Sequence, residues 1–201
     1  MAPGGNGAAV RGGRRREILR VAETVFAQKG FVNATVRDIG DASGILSGSL
    51  YYHFDSKDTM LEEILRELLL DLNEALRSVL AHEGDASTLF REMVEVSLRQ
   101  VLERPDGFRI LHNDYGFLHS AERFAFVEAA LDDAKQVWGE LIARGIGDGS
   151  FRSDVDVRLT TLVIFHSTLS VVRWRKVPTL KSVGKVADEL ARVVVDGMRP
   201  R

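Results

Sequence analysis

Residues 35–57, TVRDIGDASGILSGSLYYHFDSK, constrain the fold of this chain more than any other stretch. The first half predicts a short helix. Thr35 caps its start, and Asp38 stands three positions on, in the place of a capping box. Gly44 follows where a left-handed residue would end the helix, so that the chain turns sharply and re-enters the core. A second short helix is expected directly after this turn.

Ser47 is expected to cap the second helix, on which Leu50 and Phe54 are spaced to face inward. The other side chains then face outward, and we call them the recognition set: Ser47, Gly48, Ser49, Tyr51, Tyr52 and His53. Small residues allow close approach to a duplex, and hydrogen-bonding groups suit phosphates and base edges. The segment is therefore typical of a helix-turn-helix that reads DNA, the alternative being an ordinary helical hairpin with solvated tyrosines.

Thr35, Arg37, Gly44, the run GSLYYHF at residues 48–54 and Lys57 resemble the N-terminal signature of TetR-type bacterial repressors. The resemblance implies that Arg37 reaches a base or phosphate from the first short helix and that the recognition set lines the DNA. It also implies that Lys57 meets a phosphate at the start of the next helix.

Composition agrees with a globular regulator of this kind. The chain has 201 residues, 45% of them hydrophobic, and a net charge of -2. Residues 1–60 carry 8 Lys+Arg against 6 Asp+Glu, which leaves 19 against 23 for the remainder. The positive charge thus lies at the proposed DNA end. With no cysteine and no apolar run of membrane-spanning length, we expect a cytoplasmic protein without a membrane partner.

Helical periodicity continues to the end of the chain, and no strand pattern competes with it. We predict an all-α fold with an N-terminal three-helix helix-turn-helix DNA-binding domain and a C-terminal helical ligand-binding and dimerisation domain. The expected boundaries are a disordered, basic and Gly-rich tail at 1–13, the DNA-binding domain at 14–56 and the second domain at 57–201. Arg11 and the arginines at 14–16 either form an arm on the DNA or are solvated.

Most of the large aromatic residues lie beyond residue 89, in the second domain. They predict the wall of an apolar ligand cavity, and simple core packing is the alternative. The predicted wall residues are Phe90, Phe108, Phe117, Trp138, Phe165 and Leu169. His166 lies within an apolar stretch and is a candidate ligand contact, or else a satisfied core histidine.

Arg173 and Trp174 belong to a cationic cluster, RWRK, that either compensates a helix dipole or holds an anionic ligand group. The early run TVRDIGDASGILSGSLYYHF and the late run VVRWR are similar to those of TetR-type repressors of steroid and fatty-acid breakdown, some of which are released from DNA by acyl-CoA intermediates. The steroid-ring repressors carry an arginine and a tryptophan where this chain has Phe165 and Leu169. The resemblance implies a repressor released from operator DNA by a small hydrophobic effector such as an acyl-CoA thioester. The alternative is a sensor of lipophilic drugs that controls efflux.

The last helix carries an apolar seam that predicts a dimer interface, with its own core packing as the alternative. The seam residues are Val183, Ala187, Leu190 and Val194. A homodimer is expected because a helix-turn-helix protein reads two half-sites with two copies.

We expect no enzyme activity, cofactor or metal. The chain has no G-x-S-x-G motif and no histidine pair at metal spacing on one helix face. His112, Asp114 and His119 are the nearest approach to a metal site.

Overall fold

The computed structural model describes residues 6–174 and 178–200, and the regular structure in these ranges is entirely helical, which confirms the predicted fold class. Short 3₁₀ turns at Glu122–Phe124 and Ser170–Arg173 adjoin two of the helices. The helices are α1 (Asn6–Lys29), α2 (Val36–Ser43), α3 (Ser47–Leu50), α4 (Lys57–Leu80), α5 (Ala86–Glu103), α6 (Pro105–Asn113), α7 (Tyr115–Ser120), α8 (Ala125–Gly147), α9 (Val157–Leu169) and α10 (Val183–Met198).

Helices α1 to α3 form the head of the molecule. The capping box is present as predicted: the Thr35 hydroxyl accepts from the Asp38 N–H at 3.1 Å, and the Asp38 carboxylate accepts from the Thr35 N–H at 2.8 Å. Lys29 reaches the same carboxylate at 2.5 Å, and this ion pair, together with the bonds to Thr35, lowers the pKa of Asp38 to about 2. Gly44 has φ 67°, so the predicted left-handed turn is also confirmed.

The start of α3 differs from the prediction. Leu46, not Ser47, occupies the N-cap position, and its side chain makes no capping bond. The α-helix itself ends at Leu50, but the Phe54 N–H still donates to the Leu50 carbonyl at 2.9 Å. Leu50 and Phe54 are 0% and 2% exposed, as their spacing predicted.

Helix α1 begins earlier than the apolar repeat suggested. Residues 6–13 belong to α1, where the sequence predicted a disordered tail, and residues 1–5 lie outside the described residues. The early start of α1 follows from the cooperativity of helix formation. The helix is fixed by Ile18 and Ala22, which are fully buried. Because adding residues to an existing helix costs far less free energy than nucleating one, the helix extends toward the N-terminus.

Helices α4 to α10 form the body. The long α4 begins at the Ser56 cap, whose hydroxyl accepts from the Thr59 N–H at 3.1 Å, and it packs against α5 and α8. Helix α9 packs on α8 and α5, and α10 packs on α5. No helix within the described ranges is both long and apolar enough to span a membrane.

The predicted dimer seam on α10 is wrong for two of its residues. Val183 and Ala187 are 2% and 0% exposed because they pack against α5 of their own chain, whereas Leu190 and Val194 are half-buried. A stripe at helical spacing does not reveal whether its partner helix belongs to the same chain. The stripe that is buried within the chain consists of Val183, Ala187, Ala191, Val195 and Met198.

Candidate functional site: a DNA-reading head and an effector cavity

The recognition set lies on the outside of the head, opposite the buried Leu50 and Phe54. Tyr51 and Tyr52 are 57% and 75% exposed. Gly48 and Ser49 are exposed too, and Ser47 and His53 are partly exposed. The His53 ring stands edge-on to that of Tyr52, with 5.3 Å between the ring centroids. All six residues are therefore at least partly accessible to solvent, although the Ser47 hydroxyl lies near the buried Gly40.

Arg37 extends from α2 into solvent on the same head. Its side chain is 85% exposed, and its contact with Asp41, at 3.9 Å, is long for an ion pair. An exposed pair of this kind contributes little stability, so the guanidinium is available to a phosphate or a base.

Lys57 has another role than the predicted one. Its ammonium donates to the carbonyls of Phe31, Val32 and Ala34 at 2.9, 3.2 and 2.9 Å, and it lies 4.5 Å from the centroid of the Phe31 ring. An ammonium has three protons, and all three are used here. Lys57 thus fixes the connection between α1 and α2, and the predicted phosphate contact does not follow from this geometry.

Arg15 is likewise engaged inside the protein. Its guanidinium binds the Glu63 carboxylate on α4 and lies 4.4 Å from the centroid of the Phe54 ring. Arg14 pairs with Glu17 at 2.5 Å. Arg15 therefore joins α1 to α4 and does not belong to an arm, and the side chain of Arg11 lies outside the described residues.

A cavity of about 290 Å³ lies in the body between α6, α8 and α9. Four of the predicted residues line it: Phe108, Phe165, His166 and Leu169. The other residues of its wall are Leu111, His112, Tyr115, Leu131 and Ser170. The wall is mainly apolar, with two imidazoles, one phenol and one hydroxyl as polar groups.

Three predicted wall residues do not line this cavity. Phe90 and Trp138 are both 0% exposed and pack edge-to-face, with 5.3 Å between their ring centroids. Phe117 is half-buried and its ring is tilted against that of Phe31, with 5.0 Å between the ring centroids, at the contact between body and head. The aromatic content of the body thus divides between a core and a cavity, and composition alone could not separate them.

The spacing of Phe108, Leu111, His112 and Tyr115 is i, i+3, i+4 and i+7 across α6 and the start of α7. Sequence reasoning missed His112 and Tyr115 as cavity residues, although this spacing places all four on one helical face. The Tyr115 hydroxyl donates to Glu128 at 3.2 Å, and the nearby carboxylate raises the pKa of the phenol.

Arg173 stands beside the cavity and donates a hydrogen bond to Nε2 of His112. Burial, followed by the charge of Arg173 and the proximity of His166, lowers the pKa of His112. The imidazole is therefore neutral at neutral pH and can accept this bond, which holds the guanidinium next to the wall. Trp174 follows Arg173 and is 41% exposed, and it does not line the cavity.

Helix α6 lies between the cavity and the head. At its start, Arg104 contacts Glu23 of α1 at 3.0 Å, and Asp106 accepts from the Thr24 hydroxyl at 3.0 Å. Just after its end, Asp114 accepts from the backbone N–H of Phe31. A single short helix thus contributes to the cavity wall, is attached to α1 at its start and, just past its end, to the turn that follows α1.

Within the described ranges no group of three or more His, Cys, Asp or Glu residues is placed to hold a metal ion. Asp114 binds the Phe31 N–H, and His119 stacks on Tyr115 with 5.7 Å between ring centroids. The three residues nearest to a metal site in sequence therefore do not converge on one point.

The chain matches two family models. Residues 18–64 match the model described as bacterial regulatory proteins, tetR family, and residues 83–198 match the tetracyclin repressor-like C-terminal domain. The chain is 37% identical over 188 residues to the HTH-type transcriptional repressor KstR2 of Rhodococcus jostii, covering 94% of this chain and 92% of that one.

Two solved structures are similar in fold. The ketosteroid transcriptional regulator KstR2 of Mycobacterium tuberculosis superposes with a TM-score of 0.86 at 31% identity, covering 94% of this chain and 96% of that one. AibR in complex with isovaleryl coenzyme A and operator DNA superposes with a TM-score of 0.75 at 19% identity, covering 90% and 97%. The second likeness concerns the fold alone.

Proposed function

Because the chain belongs to the TetR family of bacterial transcriptional repressors, we propose that it binds operator DNA as a homodimer and is released by a small hydrophobic effector. The observation that carries the proposal is the position of α6, which lines the cavity on one side and is attached to the head on the other. The relatives that it matches are regulators and not enzymes.

The DNA-reading surface is proposed to consist of Arg37 and the recognition set. Tyr51 and Tyr52 present hydroxyls and ring edges to solvent, while the adjacent Gly48 leaves open space, so that a duplex can approach closely. Lys57 stabilises the head that carries this surface, because its ammonium binds carbonyls of the connection between α1 and α2.

Binding is tested by titrating the chain with duplexes from the region upstream of its own gene at several salt concentrations. Tyr51→Ala and Arg37→Ala should each weaken specific binding by roughly 5- to 100-fold, and the Arg37 change should also reduce the salt slope if it removes a phosphate contact. Arg77→Ala, a matched change at an exposed arginine in the last turn of α4, should leave DNA affinity unchanged. Equal affinity for the upstream region and for random duplex would contradict a specific repressor.

The homodimer is proposed to form through the outer faces of α9 and α10. Leu159 and Val163 on α9 are 60% and 63% exposed, Val193 on α10 is 73% exposed, and Leu190 and Val194 on α10 are half-buried. Large apolar side chains exposed on these two helices, which both pack on α5, favour a protein partner over solvent. A second copy suits this face because two heads are needed to read two half-sites.

The effector class is proposed from the contrast between the cavity and its surroundings. The wall takes an apolar group, while Arg173 beside it supplies a positive charge. A cavity of about 290 Å³ lies at the lower end of the usual range for ligand sites, so it suits an acyl part better than a whole coenzyme. An acyl-CoA thioester fits this division, with its phosphates outside the cavity near Arg173.

A melting-shift screen of acyl-CoA thioesters, the matching free acids and lipophilic cations tests the effector class. Stabilisation by thioesters alone, lost in Arg173→Ala and partly kept in Arg173→Lys, supports the proposal. Stabilisation by lipophilic cations would instead favour drug sensing, with Glu128 beside Tyr115 as the nearby negative charge.

Release requires that the effector bind the two states of the protein unequally. A tenfold loss of DNA affinity corresponds to about 1.4 kcal/mol of coupling free energy. Calorimetric titration of the effector with and without operator measures this difference directly. Equal effector affinity in the two titrations would rule out the switch.

A further inference from the structure

Leu46 is the most exposed of the large hydrophobic residues described, at 83%. It immediately precedes α3 and occupies the N-cap position with φ -59° and ψ 135°. Its carbonyl accepts from the Ser49 N–H at 2.8 Å, so the backbone is fixed while the side chain stands in solvent. The neighbouring Ile45 differs, since it is half-buried and packs against the core.

The fold gives no reason for a leucine at this position. Serine, threonine, aspartate or asparagine at an N-cap would satisfy a free backbone N–H, whereas leucine cannot. A single exposed leucine is ordinary on a protein surface. What distinguishes Leu46 is its continuity with the recognition set, since Ser47, Gly48 and Ser49 follow it directly.

We propose that Leu46 contacts the 5-methyl group of a thymine in the major groove and so determines part of the operator sequence. The inference rests on the proposed function. Residues at the start of a recognition helix face base edges, and the thymine methyl is the apolar group that those edges present in the major groove. A methyl at position 48 would have no neighbour within 4 Å, so the surface two residues after Leu46 is open to a duplex.

The test begins with duplexes selected by the unaltered chain from a randomised pool. Each thymine of the selected site is then replaced in turn by deoxyuridine, which removes only the 5-methyl group. One thymine in each half-site should show a loss of affinity of about 3- to 10-fold, the size expected for one buried methyl contact. Leu46→Ala should bind the thymine duplex with a similar loss and should no longer distinguish thymine from uracil.

Leu70→Ala is the matched control, because Leu70 is also exposed, at 57%, but lies on α4. This variant should keep the full difference between thymine and uracil. Leu46→Ser supplies a capping hydroxyl, so it should keep the melting temperature but lose the discrimination between thymine and uracil. This result would show that the loss of base recognition is not caused by a loss of stability.

The outcomes are distinguishable from a failure of the proposed function. If no duplex is enriched by the unaltered chain, then the proposed function fails. If duplexes are enriched but uracil has no effect at any thymine, or if Leu46→Ala keeps the discrimination, then this inference alone is overturned. If Leu46→Ala weakens binding to the thymine and uracil duplexes by the same factor, then Leu46 contacts the sugar-phosphate backbone instead of the methyl group, and this inference is overturned.

Discussion

The carboxylate of Asp114 accepts a hydrogen bond from the backbone N–H of Phe31, with N–O distances of 3.1 and 3.3 Å. This bond joins the residue that follows α6 to the turn that follows α1. Burial raises the pKa of Asp114, although the bond from Phe31 and the charge of Lys57 act in the opposite direction. The carboxylate therefore carries a net desolvation cost when it is ionised.

Asp114→Asn should retain the bond, because the amide oxygen accepts from the same N–H without a buried charge. We expect stability equal to or above that of the unaltered chain at neutral pH. Asp114→Ala should lose about 1–3 kcal/mol, because the Phe31 N–H would lose its acceptor. Urea unfolding of the three proteins measures these differences.

The pH dependence of the same comparison has a definite sign. The folded-state pKa of Asp114 lies above its usual value, so the folded protein binds the proton more tightly than the unfolded chain. This contribution to stability is present at acidic pH and is lost as pH rises from the usual value through the raised one. The advantage of Asp114→Asn should thus be largest at neutral pH and shrink in mild acid, and a constant difference would contradict the assignment.

Arg104 and Glu23 form the second connection between α6 and α1. Glu23 is 7% exposed, so Arg104→Met would leave a buried carboxylate without its partner. We expect a loss of about 2–4 kcal/mol, and recovery of roughly half of it on adding Glu23→Gln, which removes the charge. Chemical unfolding of the single and double variants measures the coupling, and simple additivity of the two changes would argue against it.

Leu169→Trp is expected to fill the cavity, because Leu169 is half-buried in its wall. The variant should bind operator as well as the unaltered chain but should lose the melting shift produced by the effector. Fluorescence anisotropy measures DNA binding, and the thermal shift measures effector binding. An unchanged effector response would place the ligand elsewhere.

Val163→Asp should dissociate the proposed homodimer by placing a charge in its apolar interface. Because burial of an unpaired charge costs several kcal/mol, the dimer dissociation constant should rise by about two orders of magnitude or more. Leu70→Asp, at a site on α4 of similar exposure, should not change it. Sedimentation velocity distinguishes the two species, and dimers of equal stability in both variants would exclude the α9 face.

The parts of the head predicted correctly from the sequence depend on local chemistry. The capping box of Thr35 and Asp38 needs only a spacing of three residues, and the turn at Gly44 needs only a residue that tolerates positive φ. Burial of Leu50 and Phe54 follows from a spacing of four. The role of Lys57 could not be predicted, because its three acceptors lie 23 to 26 residues earlier in the chain.

The roles of apolar residues in the body are harder to predict, because they depend on which helices become neighbours. Phe90 and Trp138 pack on each other, and Val183 packs on α5, although their spacing is equally suited to a cavity or a dimer. By contrast, Phe108 and Phe165 line the cavity. Helical periodicity tells which face of a helix is apolar, but the partner of that face is set by the tertiary fold.

Gly107 allows α6 to lie unusually close to α1 and α4. A methyl group at this position would lie 2.7 Å from the Glu23 carboxylate and about 3.0 Å from Leu68, so α6 approaches its neighbours as closely as a bare backbone permits. These close atoms are the ends of the Glu23 and Leu68 side chains, so a larger residue at position 107 requires that these ends or the helix itself shift. Gly107→Ala would accordingly crowd the carboxylate that Arg104 contacts, so the tightness of the joint between α6 and the head depends on the absence of one methyl group.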